Sequence, residues 1–163
     1  MNTTQKKILV FAFGNSGRRD DGLGNEFMNR MKQWIDKNDL CSIDTEHSFQ
    51  LNIEHASAMS NYDIVIFVDA SKAGVGKFNF TKIQPDSQPS FSTHTISPSS
   101  VTYLCKELYG KQPDVYLLQI RGYEWEMREG LSEEAKKNLD EACIFSCLQL
   151  QDWIDTEKEY EHV

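Results

Sequence analysis

The 163-residue chain has no apolar run that approaches the length of a membrane span, and no apolar signal core follows its opening MNTTQKK. Insertion into a membrane and export are therefore not expected. Positive charge is in deficit, with 17 Lys and Arg against 25 Asp and Glu, a net charge of −8. That balance argues against a nucleic-acid backbone or an anionic membrane surface as partner. The four cysteines, Cys41, Cys105, Cys143 and Cys147, form no CxxC pair and no zinc-finger pattern. Cys143 and Cys147 lie four apart in an apolar helical stretch, where small buried thiols are the expectation. With no internal repeat and no linker, one domain over residues 1–163 is expected, reduced and cytoplasmic, with a frayed tail from about residue 156.

What is present is an alternation of buried strands and amphipathic helices. KILVFAF (7–13) is almost continuously apolar, the pattern of a strand covered on both faces. After a glycine- and charge-rich loop, Leu23, Phe27, Met31, Trp34 and Ile35 recur at helical spacing. LCSIDTE reads as a second strand. QLNIEHASAMSN reads as a helix with Leu51, Ile53, Ala56 and Met59 inward and His55 at the surface. DIVIFVDA is the clearest buried strand and ends near Asp69, and the alternating KFNFTKI is an edge strand. Ser97-Pro98 supplies a cap and a first-turn proline for the helix SSVTYLCKELYG. VYLLQI is another strand, and Ser132-Glu133-Glu134 opens a long helix running to about residue 155. Such alternation implies an α/β fold, a mainly parallel sheet sandwiched between helical layers with right-handed crossovers.

In folds of this kind the site lies outside the carboxyl ends of the strands. Three polar features fall there: Asp20 and Asp21 in the Gly14–Gly24 loop, Asp69 ending the third strand, and His94 before the third helix. Two carboxylates and an imidazole suit a divalent transition metal such as nickel, zinc, iron or manganese, and three protein ligands leave positions open for a substrate. The same carboxylates can instead activate water as a general base. Each residue also has a plainer reading. Asp20-Asp21-Gly22 makes an ordinary turn whose acids favour the next helix N-terminus. Asp69 makes an ordinary loop-bonding residue, and His94 an ordinary loop histidine. Their joint position on one edge is stronger than any one of them.

Ala12-Phe13-Gly14-Asn15-Ser16-Gly17 also approximates a dinucleotide-binding GxGxxG with its first glycine replaced, with Asp44 or Glu46 as the ribose-binding acid. Electrostatics opposes it. A pyrophosphate needs the bare helix N-terminus, where Asp20 and Asp21 stand with like charge, only partly offset by Arg18 and Arg19.

Gly14-Asn15, Arg18, Asp20-Asp21-Gly22 and Gly24 after an apolar strand resemble the GNxxRxDDGxG signature of the hydrogenase maturation proteases. The resemblance continues in order through FVDAS at 67–71, His94 followed by TISPSSVTYLCKELYG, and GYEWEMREGLSEEA at 122–135, so it spans roughly residues 8–150. It implies a three-layer α/β/α sandwich, phosphorylase/hydrolase-like, with a mostly parallel five-stranded sheet. It also implies an endopeptidase that removes the C-terminal extension of a nickel–iron hydrogenase large-subunit precursor. Asp21, Asp69 and His94 would then be the metal ligands. The metal would be the nickel already loaded in the substrate, with zinc or cadmium able to take the same place. Asp21, Asp69 and Asp20 are the expected catalytic acids of an aspartic-type peptidase, and Arg18 is expected to neutralise the acidic neighbours. The expected partner is the large-subunit precursor, without nucleic acid or membrane, and the enzyme is expected to be a monomer. The chain departs from the family where Ala12 replaces the first glycine of GxGN, where His94 precedes rather than follows Ser97-Pro98, and where EHSFQLNIEHA lacks a glycine-rich stretch. The alternative from a different class is a non-catalytic metal-dependent chaperone or binding module on the same fold.

Overall fold

The computed structural model describes residues 5–85 and 96–161. Five strands form one sheet: β1 (Ile8–Phe13), β2 (Ile43–Ser48), β3 (Ile64–Ser71), β4 (Phe78–Ile83) and β5 (Asp114–Arg121). The spatial order is β2-β1-β3-β5-β4. Every pairing is parallel except β4 against β5. The four helices are α1 (Leu23–Lys37), α2 (His55–Met59), α3 (Pro98–Tyr109) and α4 (Glu133–Glu161). This is the expected α/β/α sandwich with its five-stranded, mostly parallel sheet.

Strand alternation divides the core into two layers. Ile8, Val10 and Ala12 of β1, Ile64, Ile66 and Val68 of β3, and Leu118 and Ile120 of β5 face α1 and α4. Leu9, Phe11, Val65, Phe67 and Val115 face α2 and α3. A strand buried on both sides needs apolar residues at every position, which is why β1 and β3 read as unbroken runs. Cys143 is a small core side chain, its thiol pushed up to about 12 chiefly by burial. No helix of the described residues is long and apolar enough to cross a membrane.

Three local expectations are corrected. The helix expected across QLNIEHASAMSN is only the short α2, with Leu51, Ala56 and Met59 buried but Ile53 half exposed. His55, expected at the surface, is half-buried, its ring packed edge-on against Phe11 with centroids 4.6 Å apart. The tail expected to fray from about residue 156 continues as helix to Glu161, with Ile154 still buried against the core.

Candidate functional site

The loop after β1 and the end of β3 meet at a topological switch. From β1 the chain runs through α1 on one face to β2, then returns through α2 on the other face to β3, on the opposite side of β1. Connections that diverge in this way leave a crevice at the carboxyl ends of the two strands. A cavity of about 340 Å³ lies there, and Gly14, Asp21, Asp69, Gln119, Leu51 and Pro98 are among its lining residues.

Asp21 sits in a short 3-10 turn, Arg19–Gly22, that leads directly into α1. Its Oδ2 accepts from the Asn15 N–H at 3.0 Å, while Asn15 Oδ1 accepts from the Gly17 N–H at 2.9 Å, so the glycine loop folds around the carboxylate. The loop closes tightly on itself. Gly14 has φ +147°, and a Cβ there would collide with the backbone carbonyl oxygen of Asp21. Only glycine tolerates both conditions. Asp69 lies at the top of β3, half-buried on the α2/α3 side of the sheet. Burial pushes its carboxyl up to about 7; the Ala70 N–H pulls the other way, and the nearby charge of Asp21 adds to the rise. Burial and the charge of Asp21 both penalise the anion, and a cation in the cleft would offset the charge of Asp21. Two carboxylates from separate strand ends therefore face one cavity, with no basic side chain among the described residues that line it.

Asp20, one residue earlier, has the opposite surroundings. It is fully buried. Its Oδ2 accepts from the Tyr123 N–H at 2.7 Å, the Glu124 N–H at 3.0 Å and the Ser132 hydroxyl at 2.7 Å, and its Oδ1 from the Ser132 N–H at 2.8 Å. Burial favours the neutral acid, but these donors outweigh it, and the pKa is lowered from the ordinary carboxylate value. The segment 122–132 wraps the acidic turn further. The Asp20 N–H donates to the Glu124 carbonyl and the Arg19 N–H to the Arg128 carbonyl. The Arg18 Nε–H donates to the Trp125 carbonyl at 2.8 Å, and Arg19 pairs with Glu124 and Glu126. Gly122 is held to a bare Cα, since a Cβ there would lie 2.6 Å from that of Asp20.

No protein-family model matches the chain, and no curated protein matches it in sequence. Solved structures match it in fold. The NiFe hydrogenase maturation protease HycI from Thermococcus kodakarensis superposes with a TM-score of 0.70 at 20% identity, covering 91% of this chain and 95% of its own. The hydrogenase maturating endopeptidase HYBD from E. coli gives 0.67 at 18% identity, covering 90% and 93%. A hydrogenase 2 maturation peptidase from a Thaumarchaeota archaeon gives 0.61 at 17% identity, covering 90% and 99%. The chain has the hydrogenase maturation protease fold.

Within that fold, the structure brings Asp21 and Asp69 to one cavity and takes Asp20 away from it. The expectation of Asp20 as a supporting acid at the site is corrected: its oxygens are shielded from solvent and engaged by four donors, so it can neither ligate an ion nor take a proton from water there. Arg18 is corrected too, because its guanidinium holds the Trp125 carbonyl rather than an acidic neighbour. His94 lies outside the described residues. Among the described residues no three His, Cys, Asp or Glu side chains gather as a metal-binding group. The sequence reading missed Gln119 and the 122–132 clamp. The resemblance had marked residues 122–135, but nothing in that stretch, which has no strand or helix pattern of its own from Gly122 to Gly130, showed that it closes on Asp20.

Proposed function

We propose that the chain is an endopeptidase that removes the C-terminal extension of a nickel-loaded nickel–iron hydrogenase large-subunit precursor. The observation that carries this reading is the convergence of Asp21 and Asp69 on one cavity at the switch point of a maturation-protease fold. The nickel belongs to the substrate. Asp21 and Asp69 present carboxylate oxygens to it, and His94, carried over from the sequence resemblance, is the third ligand. Capture of the metal holds the scissile region in the cleft, so that cleavage depends on proximity and on a loaded substrate. Asp69, with a pKa of about 7, is populated in both protonation states near neutral pH. In the substrate complex a carboxylate oxygen of the cleft that is not on the metal takes the proton of the attacking water and returns it to the leaving amine, the chemistry of an aspartic-type peptidase. The reading carries with it a cytoplasmic location and a monomeric enzyme, whose open cleft admits a folded precursor.

The test is to incubate the purified protein with the nickel-loaded precursor from the same organism and follow the large-subunit mass. Loss of the C-terminal extension with wild type, but not with Asp21→Asn or Asp69→Asn, is the expected result. An unchanged mass would overturn the peptidase. Stable binding without cleavage would replace it with the metal-dependent chaperone.

A further inference from the structure

The register of the sheet places a third polar side chain beside Asp69 that the two-carboxylate cleft leaves unused. Gln119 of β5 is the in-register partner of Asp69 on β3, and Asn79 of β4 is the in-register partner of Gln119. Directly paired residues project from the same face of a sheet. Asn79, Gln119 and Asp69 therefore form one row across three strands, on the α2/α3 side. The next paired positions toward the core on that face are Thr81, Leu117 and Phe67, and both Leu117 and Phe67 pack in the apolar layer. A carboxamide at the boundary of that layer is costly unless it has a partner. Gln119 is half-buried and lines the same cavity as Asp21 and Asp69, and Asn79 beyond it is exposed.

We infer that Gln119, extended by Asn79, is a binding subsite for the main chain of the substrate. This inference rests on the peptidase reading of the cleft. The ligand class is an extended polypeptide. A carboxamide offers one acceptor and two donors, the complement of a peptide group, and reads it without regard to side-chain identity. Spacing fixes which peptide groups are met. Adjacent strands are about 4.8 Å apart and an extended chain advances about 3.3 Å per residue. Gln119 therefore takes a peptide group one or two residues from the one held at Asp69. Asn79 takes one about three residues away. The carboxylates engage the metal and the scissile bond, while the carboxamides set the direction in which the extension leaves the cleft.

The test measures binding and cleavage of the nickel-loaded large-subunit precursor by wild type, Gln119→Met, Gln119→Asn and Asn79→Ala in the same samples. Gln119→Met keeps the length and removes the hydrogen-bonding groups. It is expected to raise the dissociation constant and KM about tenfold, with kcat within about twofold, because the contact is uniform between ground and transition states. Asn79→Ala at an exposed position is expected to raise both about threefold, and it keeps the test open if a Gln119 variant fails to fold. Gln119→Asn is expected to recover part of the loss. Wild-type affinity in both Gln119→Met and Asn79→Ala would overturn the subsite and leave the peptidase standing. A wild type that binds without cutting, with affinity still lost in the variants, would overturn the peptidase and keep the subsite. A wild type that does not bind the precursor would overturn both.

Discussion

The clamp around Asp20 and the cleft around Asp69 both take a carboxyl group out of water, and they do opposite things to it. Asp20 is the more deeply buried, yet it is held ionised, because three backbone N–H groups and a hydroxyl from residues 123–132 converge on its two oxygens. Asp69 keeps some exposure, yet it is pushed up to about 7, because one backbone N–H cannot offset its burial and the charge of Asp21. Depth decides the cost of the charge, and the supply of donors decides whether that cost is met. The two regions thus divide the labour of one loop. Asp20 spends its charge on holding the loop in place, and Asp69 turns its carboxyl to the cavity.

The largest effect should come from breaking the clamp. Asp20→Ala leaves three N–H groups and the Ser132 hydroxyl without their acceptor and is expected to cost about 3–5 kcal/mol in chemical denaturation at pH 7. Because the folded-state pKa is lowered, the contribution of Asp20 is present above its ordinary value of 3.8 and is lost as pH falls through the folded value. The gap between wild type and Asp20→Asn should therefore narrow in acid. A gap that stayed constant down to pH 2 would show that the carboxylate is not what holds the clamp.

Gly14→Ala tests the strained joint between the two regions. The added methyl meets the Asp21 carbonyl, and the backbone must leave φ +147° or carry strain. A loss of about 2–3 kcal/mol is expected, together with loss of precursor cleavage as Asp21 is displaced. Thermal melting and the cleavage assay read the two effects separately.

On the cleft side the sign reverses. A raised folded-state pKa means that the native protein binds this proton more tightly than the unfolded chain does. That stability is full below 3.8 and is lost as pH rises through about 7. Asp69→Asn removes the penalty, so it should stabilise the free protein by about 2 kcal/mol at pH 8, after allowance for solvent screening, and by very little at pH 4. The same variant should not cut the precursor. Destabilisation at pH 8 would contradict the strained-carboxyl account. The smallest effect is expected at the cleft wall. Ser97 caps α3, its Oγ accepting from the Ser100 N–H at 3.1 Å next to the cavity-lining Pro98. Ser97→Ala should cost about 1 kcal/mol in melting experiments.

Much of this was legible in the sequence because it is local. Runs such as ILVFAF and IVIFVDA are apolar at both parities, and a strand covered on both faces leaves no other choice. Ser97-Pro98 announces the start of α3 by chemistry confined to four residues. The short α2 was overread because Leu51, Ala56 and Met59 are core residues at helical spacing, although Leu51 reaches the core from the preceding loop. The tail was underread because its charges suggested fraying, while Ile154 and Trp153 pack on the core and hold the helix beyond them.

Sequence alone determined the layered α/β fold and placed Asp21 and Asp69 at the carboxyl ends of strands, since the succession of strands, loops and helices along the chain follows from the apolar pattern. It did not decide what each acid does. Asp20 and Asp21 are neighbours of identical chemistry, and their roles diverge through contacts with residues more than a hundred positions away, such as Ser132, 112 residues along the chain. Nor did it reveal the row of Asn79, Gln119 and Asp69, which exists only because an antiparallel edge strand and a parallel neighbour share one register. Local patterning sets which backbone forms. Only tertiary packing sets which donors meet a carboxylate, and with them whether it is a structural anion or a site for a ligand.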